Sequence, residues 1–245
     1  MKQLDSPKAI RKSFPGLGIL IPAYNPEPDT LHRLLRRIAD LNLPELNEVV
    51  VVDDGSLKPI RLPKIPELPL TLLRQTPNRG KGAALKLGFG HLLAQPSIQL
   101  ILTLDADLQH PPEKIPQFLQ RFRQTGEPIV VGYRSRSPRV MPPHRIVSNS
   151  LTSLIISLLT GQLVRDSQCG FRLIHRSVLG AVSLQENRFH LESELLIRAG
   201  WHGFRIGFVP IPTIYTNEKS SIKNVRDTLN FVFLIIRLVG ERLRR

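Results

Sequence analysis

The sequence predicts an α/β fold with a mostly parallel sheet and helices on both faces. Short, continuous apolar runs alternate along the chain with segments in which apolar residues recur at helical spacing. Strands that are apolar throughout are typical of parallel sheets, because helices cover both of their faces. The chain has 245 residues, of which 41% are hydrophobic, so it is long enough for one large domain with a substantial core.

Six apolar or β-branched runs are predicted as strands. They are Gly18–Pro22, Val49–Val52, Leu70–Leu73, Ile98–Leu104, Ile129–Val131 and Phe204–Val209. The proline-rich segment 59–69 predicts an extended surface linker. The basic segment 134–145 predicts a mobile loop that closes on phosphate, and segment 166–172 predicts a polar turn.

Apolar residues at helical spacing predict six helices. These are Leu31–Leu41, Ala83–Ala94, Ile115–Phe122, Ile146–Leu159, Leu191–Ala199 and Val225–Arg245. We divide the chain into a domain of residues 1–228 and a basic amphipathic helix of residues 229–245. The apolar block of this last helix is too short to span a bilayer. Two interpretations stay open: the helix lies on a membrane surface, or it packs on the domain or a partner subunit.

The charge of the chain is unusual. Lys and Arg number 34 against 20 Asp and Glu, a net charge of +14, which favours polyanionic partners such as nucleic acid, anionic lipid or phosphorylated small molecules. The single cysteine, Cys169, excludes an internal disulfide and a Cys-rich zinc site. No apolar run reaches about 18 residues and no signal peptide is evident, so a cytoplasmic protein is expected.

Polar residues follow three of the predicted strands where ligands bind in open parallel sheets. Residues 22–25 (PAYN), 53–56 (DDGS) and 105–109 (DADLQ) are expected to meet at one rim of the sheet. Asp105 and Asp107 are two residues apart, so both carboxylates can point the same way and hold a cation between them. Oxygen ligands, with Gln109 as a third, favour Mg²⁺ or Mn²⁺ shared with substrate phosphates.

Two further segments fit a phosphorylated ligand. Asp53 and Asp54 could accept hydrogen bonds from a ribose hydroxyl or a base, or could simply form an Asx turn. Gly80 and Lys81 precede a helix whose N-terminus would attract anions. The segment is neither GxGxxG nor a Walker A sequence, which disfavours dinucleotide and P-loop sites.

These motifs together resemble the family 2 glycosyltransferases of the GT-A, Rossmann-like fold, in the branch that includes dolichyl-phosphate mannose synthases. The most specific segments are VVDDGS (51–56), NRGKG (78–82) and DADLQHPPE (105–113), within the matching stretches NRGKGAALKLGF and LDADLQHPPEKIP. IPAYNPEPDTL also matches, and the later matches VGYRSR, DSQCGFRLIHRSVL and FHLESELLIRAGWHGFRIGFVPIPTIY are looser. The resemblance covers roughly residues 17–228.

The resemblance implies a GDP- or UDP-hexose donor and a set of site residues. The donor would contact Pro22, Ala23, Tyr24, Asn25, Asp53, Asp54, Gly80, Lys81, Asp105 and Arg172, and the metal would be held by Asp105, Asp107 and Gln109. Arg134, Arg145 and Ser148 would contact the acceptor phosphate, with His144 an alternative to Arg145. The implied catalytic set is Asp105, Asp107, Arg134, Asp166 and Glu194. Pro26 departs from the family, which commonly has Glu there.

The expected activity is inverting, metal-dependent transfer of a hexose to a polyprenyl phosphate, dolichyl or undecaprenyl. Its acceptor oxygen is ionised near pH 7 and needs no base. An alternative is transfer to a hydroxyl of a glycan or lipid, which needs a base from Asp166, Glu192 or Glu194; Glu192 is interpreted as an exposed helix residue.

A second alternative is a non-enzymatic nucleic-acid-binding domain. It lacks a recognisable binding motif, so no nucleic-acid partner is expected. The expected location is peripheral, on the cytosolic face of an anionic membrane, with a membrane subunit or a second copy of the chain left open as partners.

Overall fold

The computed structural model describes residues 15–135, 141–214 and 224–244. Its strands are β1 (Gly16–Ala23), β2 (Leu46–Asp53), β3 (Leu70–Arg74), β4 (Ile98–Thr103), β5 (Ile129–Arg134), β6 (Arg172–His175) and β7 (Ile206–Ile211). Its helices are α1 (Pro28–Ala39), α2 (Lys81–Leu93), α3 (Ile115–Thr125), α4 (Pro143–Thr160), α5 (Arg176–Ala181), α6 (Leu191–Trp201) and α7 (Asn224–Leu243). A 3₁₀ turn, Pro112–Lys114, precedes α3.

The described strands form one sheet in the order β3-β2-β1-β4-β6-β5-β7. Strands β1 to β4 pair in parallel with one another, and β5 pairs in parallel with β7. The strand order reverses at β1, because β2 and β3 lie on one side of it and β4 on the other. This switch point, between the ends of β1 and β4, is where a parallel sheet opens a crevice for ligands.

The predicted α/β fold with a mostly parallel sheet is confirmed, but one strand and one short helix were not predicted. β6 lies antiparallel between β4 and β5, where the sequence predicted only the end of a polar turn. It has four residues and begins with a buried arginine, so it lacks an apolar run long enough to signal a strand. Helix α5 follows directly and is only six residues long.

The linker 59–69 has neither helix nor strand, as predicted, but it does not lie wholly on the surface. Ile65 and Leu68 are buried in the core. Of the predicted loop 134–145, residues 136–140 lie outside the described residues, and Pro143 already belongs to α4.

The C-terminal helix belongs to the same core as the rest of the chain. The predicted boundary after residue 228 falls inside α7, and Phe231, Leu234 and Leu238 of that helix are buried. Its opposite face carries half- to two-thirds-exposed Leu229, Val232, Phe233 and Ile236. Helix α7 is therefore packed on the domain by one face and leaves an apolar stripe on the other.

Close packing of α2 on β1 depends on a missing side chain. A Cβ at Gly88 would lie 2.1 Å from Leu20 Cδ1 of β1. Leu20 is fully buried, so it has little freedom to move away. Helix α2 thus approaches the sheet closely while its N-terminus reaches the switch point.

The Gly88→Ala substitution is expected to destabilise the protein by about 1–3 kcal/mol, because the new methyl group overpacks the α2–β1 contact. The matched control is Gly90→Ala in the same helix, where a new Cβ meets nothing within 4 Å. That control should be neutral or stabilising by up to about 1 kcal/mol, since alanine favours helix. Urea unfolding measures both, and equal midpoints for the two variants would contradict the packing described.

Candidate active site

The acidic loop after β4 is held by its own side chains. The backbone N–H of Asp105 donates to His110 Nδ1 at 3.1 Å, and that of Gln109 donates to Asp107 Oδ1 at 3.0 Å. Leu108 between them has φ of 60°, the left-handed conformation of a tight turn. The loop therefore keeps Asp105, Asp107 and Gln109 together at the end of β4, partly exposed.

Lys81 joins this loop to two helices. Its Nζ lies 2.6 Å from Asp105 Oδ1 and 3.0 Å from Glu192 Oε1. Lys81 begins α2 and Glu192 lies in the first turn of α6, so the ends of three elements meet at one ammonium group. We call Lys81, Asp105 and Glu192 the charged cluster. Its two carboxylates and one ammonium give a net charge of −1 when all are ionised.

Electrostatics keep Asp105 and Lys81 of the charged cluster ionised. Burial opposes the charge on Asp105, but the attraction of Lys81 outweighs it and lowers the pKa of Asp105 to about 2. Burial likewise opposes the charge on Lys81, yet Asp105 and Glu192 raise its pKa above the ordinary value. The carboxylate of Asp105 is therefore ionised across the physiological range and available to a cation.

Gly170 forms one wall of the charged cluster. A Cβ there would lie 2.8 Å from Lys81 Nζ, 2.9 Å from Glu192 Oε1 and 3.2 Å from Asp105 Oδ1. The Gly170 carbonyl accepts a hydrogen bond from Thr103 Oγ1 of β4 at 2.7 Å, which fixes the backbone in place. Any side chain at this position would displace the cluster, which accounts for glycine in the segment 166–172.

His110 supports the acidic loop from behind. Burial lowers its pKa to about 4, so the ring is neutral at neutral pH. Since Nδ1 accepts from Asp105, the proton lies on Nε2, which faces Cys169 Sγ at 3.8 Å. The ring also stacks on Phe171. Burial raises the pKa of Cys169 to about 12, so this cysteine remains a packed thiol.

Arg134, at the end of β5, is anchored by Asp166. Its Nε and Nη2 donate to the two carboxylate oxygens of Asp166 at 2.9 and 3.2 Å. Asp166 is only 1% exposed, and Arg134 holds the pKa of that carboxyl below its ordinary value in spite of burial. This carboxylate therefore orients Arg134, and the catalytic role implied for Asp166 stays a prediction.

Asp53 is turned towards protein donors. It is 0% exposed, and its oxygens accept from the N–H groups of Ser56 and Ile60 and from Arg74 Nη1 at 2.7 Å. Hydrogen bonds to the charged form hold the pKa of Asp53 below its ordinary value against the effect of burial. The turn, one of the two interpretations of this residue, is thus present in the structure, and a contact of Asp53 with a nucleoside stays a prediction.

Asp54 is 3% exposed and fastens the loop that carries Lys81. Its carboxylate accepts from the N–H groups of Arg79 and Gly80 at 2.9 and 2.8 Å. The N–H of Ala83, in the first turn of α2, donates to the carbonyl of Asn187 at 3.0 Å. The N–H groups of Gly80 and Ala83 thus donate to protein oxygens, and Lys81 reaches the charged cluster through its side chain. The expected contact of Gly80 and Lys81 with a donor stays a prediction.

Residues 22–25, at the end of β1, lie at the rim of the sheet. Pro22 and Ala23 are buried in the strand, whereas Tyr24 is 52% exposed beside it. Asn25 has φ of 46°, and it exchanges hydrogen bonds with segment 56–57 beyond β2. Tyr24 and Asn25 therefore lie at the rim formed by the ends of β1 and β2, and their contact with a donor stays a prediction.

Two residues of the implied site are buried and structural. Arg172 is 1% exposed, and its guanidinium donates to the carbonyls of Ser167, Cys169 and Glu192, so it braces the turn before β6. Glu194 is 0% exposed and pairs with Arg198 at 2.9 Å. Both side chains are buried among protein partners, and the donor contact implied for Arg172 and the catalytic role implied for Glu194 stay predictions.

The sequence prediction misjudged the burial of Glu192. It was interpreted as exposed, but it is 7% exposed and belongs to the charged cluster. All residues from Leu191 to Ala199 of α6 are buried. The signal was present in the sequence, since apolar residues lie on every side of this helix and leave no face for a solvated glutamate.

Arg145 and Ser148 lie in the first two turns of α4, half-buried and exposed respectively. The structure positions them on the helix that follows Arg134 in the chain, and their phosphate contact stays a prediction. Among the described residues, no group of three or more His, Cys, Asp or Glu side chains converges as a complete metal site. The oxygens of Asp105, Asp107 and Gln109 would therefore fit a divalent ion that shares its coordination with substrate phosphates.

An acidic loop, a paired lysine and an anchored arginine at the switch point of an α/β sheet are suited to an enzyme for a phosphorylated ligand. Residues 18–182 match the model of glycosyl transferase family 2. The chain belongs to this family and is a glycosyltransferase.

Relatives and solved structures agree with this assignment. The chain is 32% identical over 222 residues to the UDP-N-acetylglucosamine–dolichyl-phosphate N-acetylglucosaminyltransferase of Methanococcus voltae, covering 81% of this chain and 85% of that protein. It is 33% identical over 239 residues to the dolichol-phosphate mannosyltransferase of Pyrococcus furiosus, covering 92% and 65% respectively.

Mannosyl-3-phosphoglycerate synthase from Rubrobacter xylanophilus superposes with a TM-score of 0.66 at 16% identity, covering 94% of this chain and 74% of that one. Glucosyl-3-phosphoglycerate synthase from Mycobacterium tuberculosis, in complex with Mn²⁺, UDP-glucose and phosphoglyceric acid, gives 0.61 at 22% identity, covering 84% and 72%. The expected GT-A fold is thereby confirmed.

The buried, neutral His110 makes stability depend on pH. Its folded pKa of about 4 lies below the ordinary value of 6.5, so the unfolded chain binds the proton more readily. Stability from this group is complete above about pH 6.5 and falls, by on the order of 3 kcal/mol, as the pH drops towards 4. His110→Asn keeps an acceptor near Nδ1 but does not titrate, so this part of the loss should disappear. Urea unfolding across this range tests it, and parallel pH curves for the two proteins would contradict the buried, neutral ring.

Proposed function

We propose that the protein transfers a hexose from a nucleoside-diphosphate sugar to a polyprenyl phosphate, with inversion, and that it depends on Mg²⁺ or Mn²⁺. The observation that carries the proposal is the charged cluster at the switch point, next to Asp107 and Gln109. Relatives whose names specify dolichyl-phosphate acceptors support the acceptor class. The Mn²⁺ in a structural neighbour with UDP-glucose supports the metal.

The donor would bind with its diphosphate at the acidic loop. Asp105, Asp107 and Gln109 would hold the divalent ion, which when bound offsets the negative charge of the diphosphate. Lys81, held by Asp105 and Glu192, and Arg134, held by Asp166, would lie beside the diphosphate as cationic donors fixed in position. Fixed cations that face the leaving group stabilise the charge that develops as its bond to the sugar breaks. A single displacement at the anomeric carbon accounts for inversion.

The acceptor side of the site suits a lipid with a phosphate head. A cleft of about 480 Å³ lies between the end of β5 and α4, and its lining includes Arg134 and Arg165 together with Leu154 and Leu163. Leu154 belongs to an apolar stripe along α4 whose side chains are 55–75% exposed: Val147, Leu151, Leu154 and Leu158. Cations beside an exposed apolar stripe match a phosphate head and a hydrocarbon tail. The phosphate oxygen is ionised near pH 7, so it can attack without a base.

The same surfaces support peripheral binding to an anionic membrane. No helix among the described residues is both long and apolar enough to cross a bilayer. The exposed stripes of α4 and α7, with a net charge of +14 on the chain, fit shallow insertion and attraction to anionic lipid. We infer that these two helices bring the site to the lipid acceptor.

Transfer to a hydroxyl is the second candidate, and the position of Glu192 favours it. This carboxylate lies 3.0 Å from Lys81 in the charged cluster, where a base for a hydroxyl acceptor could act. The two candidates differ in what Glu192 does. With a phosphate acceptor, Glu192 only positions Lys81, and the transfer rate should vary little between pH 7 and pH 8 because the acceptor is already ionised.

With a hydroxyl acceptor, Glu192 acts as the base, and Glu192→Gln should abolish transfer.

The proposal is tested by a screen of nucleotide sugars with Mn²⁺, using polyprenyl phosphate and the matching polyprenol as acceptors. We expect transfer to the phosphate, and a loss of about 100-fold or more in Asp107→Asn, because the neutral amide weakens metal binding. Asp40→Asn, at the exposed end of α1, makes the same charge change and should match wild type. Equal activity in wild type and Asp107→Asn, or transfer to the polyprenol alone, would contradict the proposal.

A further inference from the structure

Helix α7 is fastened to the domain by a network of ion pairs. Arg237 of α7 lies 2.8 Å from Glu186 and 3.6 Å from Glu194, measured from Nη2. Glu241, one turn further on, pairs with Arg198 of α6 at 2.8 Å. Two of the five charged groups in this network therefore come from α7.

The centre of the network is a carboxylate that cannot reach solvent. Glu194 is 0% exposed, and its Oε1 faces Arg198 at 2.9 Å and Arg237. Its Oε2 accepts hydrogen bonds from the backbone N–H groups of Gln185 at 2.9 Å and Glu186 at 2.8 Å. A buried carboxylate destabilises the fold unless it is paired with cations. The two arginines keep Glu194 in place, and Glu194 in turn holds the start of segment 185–188.

Segment 185–188 lies directly against the first turn of α2. The carbonyl of Asn187 accepts from Ala83 N–H at 3.0 Å. A Cβ at Gly80 would lie 2.6 Å from the Asn187 carbonyl oxygen, and one at Gly82 would lie 2.7 Å from that of Arg188. The two backbones thus touch with no side chain between them, on either side of Lys81.

A continuous path of contacts therefore runs from α7 to the charged cluster. Arg237 contacts Glu186 and Glu194, Glu194 holds the start of segment 185–188, and that segment caps the turn that carries Lys81. Glu192, the other partner of Lys81, lies two residues before Glu194 on α6. Movement of α7 away from the domain would loosen both the lysine and its partner.

We propose that α7 positions the donor site and that Arg237 is the positioning residue, acting through Glu194 and segment 185–188 on Lys81. The link to donor binding rests on the function proposed above, whereas the mechanical link does not. The exposed face of α7 is one of the surfaces we assign to lipid, so contact of α7 with a membrane would change how firmly the donor site is held in place.

The test compares amide hydrogen exchange in the full chain for wild type, Arg237→Gln, Arg237→Lys and Arg242→Gln. Arg242 is the matched control, because it is an exposed arginine of α7 that stacks on Trp201, outside the ion-pair network. We expect Arg237→Gln to speed exchange about tenfold in residues 81–86 and 185–190, with β2 unchanged. Arg237→Lys should restore most of the protection, and Arg242→Gln should match wild type.

A second readout is the affinity for a nucleoside diphosphate with Mn²⁺, measured by calorimetry. Arg237→Gln should weaken it several-fold, to an extent that follows the exchange at 81–86. The proposal is overturned if exchange rises only within α7, or equally in β2, because the role of Arg237 is then purely structural. Faster exchange at 81–86 in a protein that binds no nucleotide would uphold the mechanical link and reject the proposed function.

Discussion

The ammonium of Lys81, held between the carboxylates of Asp105 and Glu192, is the interaction on which the site depends. Three elements from distant parts of the chain deliver these groups: the start of α2, the end of β4 and the first turn of α6. Charges removed from water are unfavourable unless they are paired closely. The pairing therefore requires the end of β4 and the starts of α2 and α6 to meet at one place, so the path of the chain determines the site.

The acids near this rim divide into two groups by burial. Asp53, Asp54, Asp166 and Glu194 are at most 3% exposed, and each is occupied by protein donors. Asp105 keeps a 30% exposed side chain, and Asp107 shares its loop. Buried acids thus shape the loops, and the more exposed ones are left for a cation and its ligand. Several acidic residues of the motifs therefore hold the loops of the site in place by accepting hydrogen bonds from protein donors.

The sheet could be predicted because buried parallel strands are typically apolar along their length, as Val49–Val52 is. Strand β6 could not, since its four residues begin with Arg172, whose charge is satisfied by backbone carbonyls that only the folded chain brings near. The spacing of Asp105 and Asp107 predicted two acids in one loop, and both lie in the loop after β4, where their contact with a metal stays a prediction. The roles of Glu192 and Asp53 depended on which tertiary partners they meet, which local pattern does not encode.

The most direct test of the charged cluster is the carboxylate pKa of Asp105, measured by carbon-detected NMR in wild type and in Lys81→Met. With Lys81 present the value should be about 2, and with methionine in its place it should rise, because the attraction of Lys81 is lost and only His110 and Arg134 still oppose the effect of burial. A value close to 3.8 in both proteins would show that Lys81 and Asp105 do not interact, and would contradict the account of the site given above.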